Sequence, residues 1–137
     1  MALELHIVTP EKKVVSDLVD DVYLPGADGE LGILPQHVGL VAALKPGELR
    51  YAHQGSVRTL AIGSGFAEVT QTKVVVLTDS AYGESEIDEG NVEAAIKRAQ
   101  EKLASIDHNL DAEEVAYLQG VIAKATSDLQ FKRKYGR

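Results

Sequence analysis

Hydrophobic and polar positions follow two different rhythms along this chain. Through residue 79 they alternate with period two or gather in short apolar runs. "LELHIV" sets Leu3, Leu5 and Ile7 against Glu4 and His6. "DDVYLPG" puts Val22 and Leu24 on one face, and "ELRYAH" does the same with Leu49 and Tyr51. "VRTLAIGSGFAEV" and "KVVVLTD" are apolar and rich in β-branched residues, as buried strands are. Turn signals separate these runs at Asp28-Gly29, Pro46-Gly47, Gln54-Gly55 and Gly63-Ser64-Gly65. Many short strands at close spacing predict an antiparallel β-sandwich, or flattened barrel, over residues 1–88.

Beyond "AYGESEID" the period becomes helical. Val92, Ile96, Ala99, Leu103 and Ile106 recur every three or four residues, as do Val115, Leu118, Ile122, Ala125 and Leu129. Each set draws one stripe down a helix with the heptad spacing of a coiled-coil seam. Asp88 is placed to cap the first helix, and Asp111 with Glu114 to form a capping-box-like start for the second. The short connector "DHNL" makes the two antiparallel neighbours, so residues 89–137 should form a helical hairpin. Two alanines sit in the seam and no large aromatic lies on it. That composition predicts a hairpin that is marginal by itself and able to leave its resting place for another partner.

Charge divides the chain at the same place. The net charge of −7 comes from residues 1–88, where six Lys/Arg face 13 Asp/Glu, while residues 89–137 hold eight of each. An acidic first part argues against nucleic acid as its partner, because phosphate contacts need a basic face. Cysteine is absent, which removes disulfides, thiolate metal sites and thiol nucleophiles. "MALELHIVTP" lacks the pattern of a secretory signal, and the longest apolar run, Leu40 to Leu44, is far too short for a membrane span. These features read as a soluble intracellular protein.

Catalytic constellations are missing. The four histidines (His6, His37, His53, His108) have no metal-binding spacing, and there is neither a nucleophile elbow nor a P-loop. Gly63-Ser64-Gly65 lacks the third glycine of a dinucleotide fingerprint and reads as a turn. Asp17, Asp20 and Asp21 read as a solvated strand edge. The terminal run "FKRKYGR" carries Lys132, Arg133, Lys134 and Arg137 without an acid, which suits either the dipole at a helix end or a docking tip for an acidic protein segment.

One segment resists both rhythms. "DGELGILPQHVGLVAALKPGELR" resembles the signature stretch of the epsilon subunit of bacterial and chloroplast F-type ATP synthases. "IGSGFAEV" and "VVVLTDSA" resemble that family's later sandwich strands, and "EIDEGNVEAAIKRAQEKL" the start of its helical hairpin. The resemblance covers essentially the whole chain in the right order. It implies a non-catalytic subunit of the rotating central stalk, which couples proton translocation to ATP synthesis. It also implies that the hairpin either folds against the sandwich or extends along the gamma subunit into the catalytic head, where it obstructs hydrolysis.

Carried over residue by residue, the resemblance places Glu30 and Leu31 at a turn tip that, together with Gly32, meets the c-subunit ring. His37, Val38 and Leu40 fall at the gamma contact, although this chain has His37-Val38-Gly39 where the family commonly has His-Ala-Pro. A histidine in such a loop also suits a purely local role, satisfying a loop carbonyl. Lys132, Arg133 and Lys134 become the inhibitory tip that meets the alpha/beta head. Some members bind ATP through an Ile/Leu-Asp-x-x-Arg-Ala motif; the matching run here is Ile87-Asp88-Glu89-Gly90-Asn91-Val92, with Asn91 in place of the arginine. Asp88, Arg98 and Lys124 remain for weak regulatory ATP, and no other cofactor is implied. The implied partners are gamma, the c-ring and, in the extended state, the alpha/beta head, with no nucleic acid, no direct membrane insertion and a monomer when isolated. The implied location is peripheral, on the cytoplasmic face of the bacterial inner membrane or the stromal face of a thylakoid. A free-standing ATP-sensing module and a β-sandwich/coiled-coil adaptor in another complex are the alternative readings.

Overall fold

A computed structural model describes residues 3–136. The chain forms two compact units, Met1–Gly83 and Glu84–Arg137. The division falls a few residues before the change of rhythm at residue 88, because the turn at Glu84–Glu86 is tied to the helices by side-chain contacts.

Among its described residues the first unit contains ten strands: β1 (Leu3–Val8), β2 (Lys13–Val19), β3 (Asp21–Gly26), β4 (Gly29–Ile33), β5 (Leu40–Leu44), β6 (Gly47–His53), β7 (Ser56–Ile62), β8 (Gly65–Val69), β9 (Lys73–Thr78) and β10 (Ala81–Tyr82). They run in the order β10-β7-β6-β3-β5-β8-β9-β1-β2, with β4 on β3. The sandwich expected from the alternating pattern is therefore present, as a nearly closed one. Strand β3 is the corner: residues 21–23 pair with β6, while Gly26 reaches Leu44 of β5. One pairing departs from an all-antiparallel sheet. β1 lies parallel to β9, with Leu5 opposite Val74 and Ile7 opposite Val76. The β1–β2 hairpin inserts with its first strand inward, and that orientation decides the direction.

Alternation fills the interior. Leu3, Leu5, Ile7, Val22, Leu24, Leu49, Ile62, Val74 and Val76 are all fully buried. Turn chemistry fixes register at two places. Gln54 and Gly55 both have positive φ, 51° and 81°, which matches the right-handed twist across a two-residue hairpin loop. Ala27 and Asp28 make the other two-residue loop, closed by Gly26 opposite Gly29, whose φ of 139° suits glycine alone.

The second unit holds α1 (Glu89–Ser105) and α2 (Ala112–Tyr135), preceded by the 3₁₀ turn Glu84–Glu86. All ten seam residues are partly or fully buried, so the helical stripe read from spacing is the packed face. Asp88 caps α1, its Oδ1 accepting from the Asn91 amide at 2.9 Å. The expected capping box on α2 does not form. The Asp111 side chain makes no cap hydrogen bond, and Glu114 instead pairs with Lys102 at 2.8 Å. A lysine in the last turn of α1 competes for that carboxylate and wins it. The seam carries no large aromatic, but one lies just beside it: Phe131 is buried and packs at a tilt against Tyr135 with ring centroids 5.0 Å apart. Its offset of two residues from Leu129 puts it outside the heptad stripe.

Candidate interaction surfaces

Glu30 and Leu31 do not occupy the turn tip, a correction to the sequence expectation. The tip is Ala27–Asp28, while Glu30 and Leu31 stand in β4 opposite Pro25 and Leu24. The turn closes earlier because Gly26 and Gly29 pair directly. Glu30 receives a forked bond from Arg50 of β6, Nη2 to Oε1 at 3.0 Å and Nη1 to Oε2 at 3.3 Å. This bond, helped by the charges of Glu30 and Glu48, raises the Arg50 pKa above its usual value against the opposing effect of burial. The Arg50 guanidinium also lies 4.5 Å from the centre of the Tyr23 ring, a cation–π contact. Gly32 lets that ring lie flat, since a Cβ there would sit 3.0 Å from Tyr23 Cε1. Leu31 is half-buried against the core. Glu30, Arg50 and Tyr23 thus form one ordered stack of acid, guanidinium and aromatic ring.

His37 follows a turn made by Leu34, Pro35 and Gln36, in which Gln36 takes a φ of 70° and the His37 amide donates to Leu34 O. The imidazole Nδ1 donates to Val38 O at 2.7 Å, so the local role for this histidine is realised. Val38 beside it is 78% exposed, and Leu40 is half-buried at the start of β5.

Sequence reasoning missed the surface next to this loop. "VRTLAIGSGFAEV" and "KVVVLTD" read as buried strands, yet in β8 and β9, as in β5 beside them, only every second residue points inward. Val41, Phe66 and Leu77 are exposed, at 73%, 59% and 54%. Ala43 pairs with Phe66, Phe66 with Leu77, and Leu77 with Val8, an apolar row across four strands. Val41 lies diagonal to Phe66 in the same register. Apolar residues on both faces of a strand were the available signal; which face met the core was not. A contiguous exposed apolar patch marks a docking surface more often than an ordinary exterior.

In the second unit the basic end of α2 is engaged. Lys132 pairs with Glu84 at 2.5 Å, and Arg133 with Glu89 and Glu93, both at 2.7 Å. The bond to Glu89, helped by that residue's charge and by Glu93, raises the Arg133 pKa against the opposing effect of burial. Lys134 lies 5.1 Å from the Tyr135 ring centre. Arg137, part of the same basic run, lies outside the described residues.

The three residues considered for nucleotide are differently disposed. Asp88 is occupied as the α1 cap, and Lys124 pairs with Asp128. Arg98 is exposed on α1, ten residues and about 15 Å of helix from Asp88. Asp21, read as a solvated acid, accepts from the Ala52 amide at 3.2 Å and stitches β3 to β6. Among the described residues no group of His, Asp and Glu is arranged to hold a metal ion. No described helix is long and apolar enough to cross a membrane.

A family model described as the ATP synthase Delta/Epsilon chain β-sandwich domain matches residues 2–84. The chain is 48% identical to the ATP synthase epsilon chain of Desulforamulus reducens over 107 residues, covering 78% of this chain and 81% of that one. It is 40% identical to the epsilon chain of Syntrophobacter fumaroxidans over 132 residues, 96% of each. Among solved structures, a chain of the Euglena gracilis mitochondrial ATP synthase, in its OSCP/F1/c-ring assembly, matches with a TM-score of 0.76 and 25% identity over 98% of this chain and 82% of that one. A chain of the Tetrahymena thermophila central stalk and c-ring shares the fold, with a TM-score of 0.63 and 13% identity over 94% and 97% of the two chains.

Proposed function

The chain belongs to the epsilon-subunit family of the ATP synthases, and from that premise we propose that its two units divide attachment and control between them. It is a non-catalytic rotor-stalk subunit of the F1 portion, peripheral to the membrane. The first unit attaches. The apolar row Ala43–Phe66–Leu77, continuous in strand β5 with Val41 and adjoining His37, Val38 and the start of β5 at Leu40, whose side chain packs on the core, is the surface for gamma. Its exposed apolar character carries that reading, because covering such an area removes it from water and favours association. The polar stack of Glu30, Arg50 and Tyr23, with Leu31 and Gly32 beside it, faces the c-ring. Charged side chains held in place by one another suit the polar loops of a ring.

The second unit controls. Its basic end, Lys132 to Lys134, meets acidic side chains of the alpha/beta head when the hairpin extends, and there blocks hydrolysis. In a confined and poorly screened cavity such charge-assisted contacts are strong. The enzyme sits on the cytoplasmic face of a bacterial inner membrane, in keeping with the bacterial relatives. Regulatory ATP binding is weak, since Asn91 supplies no cation and Lys124 already has an acid beside it.

The test is ATP hydrolysis by an epsilon-depleted catalytic head, to which the full chain or residues 1–88 is added. The full chain should bind and inhibit; residues 1–88 should bind without inhibiting. Binding by neither would overturn the stalk assignment. A Phe66→Asp chain should fold normally, its side chain being exposed, and lose at least tenfold in affinity for the head. Unchanged affinity would move the gamma surface elsewhere.

A further inference from the structure

The two ends of the helical hairpin are closed in different ways. At one end, residues 106–111 join the helices covalently, and Lys102–Glu114 pins them. At the other, the start of α1 and the end of α2 lie together with no connecting chain. There Glu84, Glu89 and Glu93 face Lys132 and Arg133. Lys132 Nζ donates to Glu84 Oε1 at 2.5 Å, with the Glu84 carbonyl at 3.4 Å. Arg133 spreads its guanidinium over two carboxylates one helical turn apart, Nε to Glu89 and Nη2 to Glu93. Gly136 completes the fit, since a Cβ there would lie 3.1 Å from Glu84 Oε1.

We propose that these three glutamates are a latch that imitates the acidic partner of the α2 tip, holding Lys132 and Arg133 until a stronger acidic surface replaces them. The inference rests on the inhibitory role assigned above to the tip. The physics favours exchange over permanence. The Arg133 pairs are about half exposed and therefore screened by salt, while the Lys132–Glu84 pair is only about a quarter exposed. Three glutamates left without their cations would repel one another, so the acid cluster is stable only while occupied. Hairpin opening then begins at this end, where only side chains hold the helices, and costs little once the cations are transferred to other carboxylates.

The test replaces all three acids in the full chain, Glu84→Gln with Glu89→Gln and Glu93→Gln. Amide exchange at residues 129–135 should accelerate about tenfold while residues 115–122 keep their protection. Equal exchange at the α2 end would overturn the latch. A charge swap, Glu84→Lys with Lys132→Glu, should return exchange to within about twofold of the original, whereas Lys132→Glu alone stays fast. A swap as fast as the single change would also overturn it. Added to the depleted head, the triple variant should half-inhibit at about one-tenth of the original concentration. Equal inhibition despite faster exchange would overturn the control of the tip by the latch. If exchange behaves as expected and neither protein inhibits, the latch stands and the inhibitory role fails.

Discussion

The sandwich and the helical hairpin are held together by different forces, and the difference matches what each is asked to do. Strands β1 to β9 bury a run of large aliphatic side chains completely, and every strand is hydrogen-bonded to a neighbour. Among the described residues the helices bury Ala99, Leu118, Ala125 and Phe131, none of them completely, and ion pairs close both ends of the pair. Apolar burial has no substitute partner in water, so the sandwich is a platform. Ion pairs can be exchanged for other ion pairs, so the helices can be traded from one setting to another.

Core truncations should separate the two most widely. Leu5→Ala removes a fully buried side chain and should cost about 3 kcal/mol, lowering the denaturant midpoint of the whole sandwich. Leu118→Ala should cost about 2 kcal/mol, near the lower end of such changes, and appear in helix content while near-native sandwich signals persist. A single transition shared by both variants would break the comparison.

Capping gives a smaller contrast inside the second unit. Asp88→Ala loses the bond to the Asn91 amide and should cost about 1 kcal/mol of helix stability, whereas Asp111→Ala should change almost nothing, having no side-chain cap bond to lose. Urea unfolding followed by far-ultraviolet circular dichroism compares them directly, and equal effects would show that one of the caps is misassigned.

The smallest effect is a titration. Lys102 is raised above 10.5, chiefly by its bond to Glu114 and then by that residue's charge. Raising the pKa of a cation in the folded state stabilises that state. The contribution is complete below pH 10.5 and disappears as the pH climbs through the raised value. Nuclear magnetic resonance of the lysine side chain should show Lys102 titrating late, and Glu114→Gln should bring it back towards 10.5. No shift on that substitution would remove this pair from the account of the hairpin's closed end.

Local pattern was a reliable guide wherever one period dominated. Leu3, Leu5 and Ile7 alternate with polar neighbours and all face the core, and the seam from Val92 to Leu129 packs as its spacing requires. It was weaker where a residue had two uses. Glu114 was free to cap its own helix or to meet Lys102, and only the antiparallel approach of α1 put the lysine within reach. Phe131 fell off the heptad stripe, yet the end of α2 buries it beside Tyr135.

By itself the sequence determined the alternation of the strands, the helical stripes and the division between them, because these depend on periods of two and of three to four residues written in neighbouring positions. Only the tertiary structure decided that β1 runs parallel to β9, that Val41, Phe66 and Leu77 point outward, and that Glu84, Glu89 and Glu93 close on Lys132 and Arg133. Those outcomes join residues tens of positions apart, and no local period records which distant partner a side chain will meet.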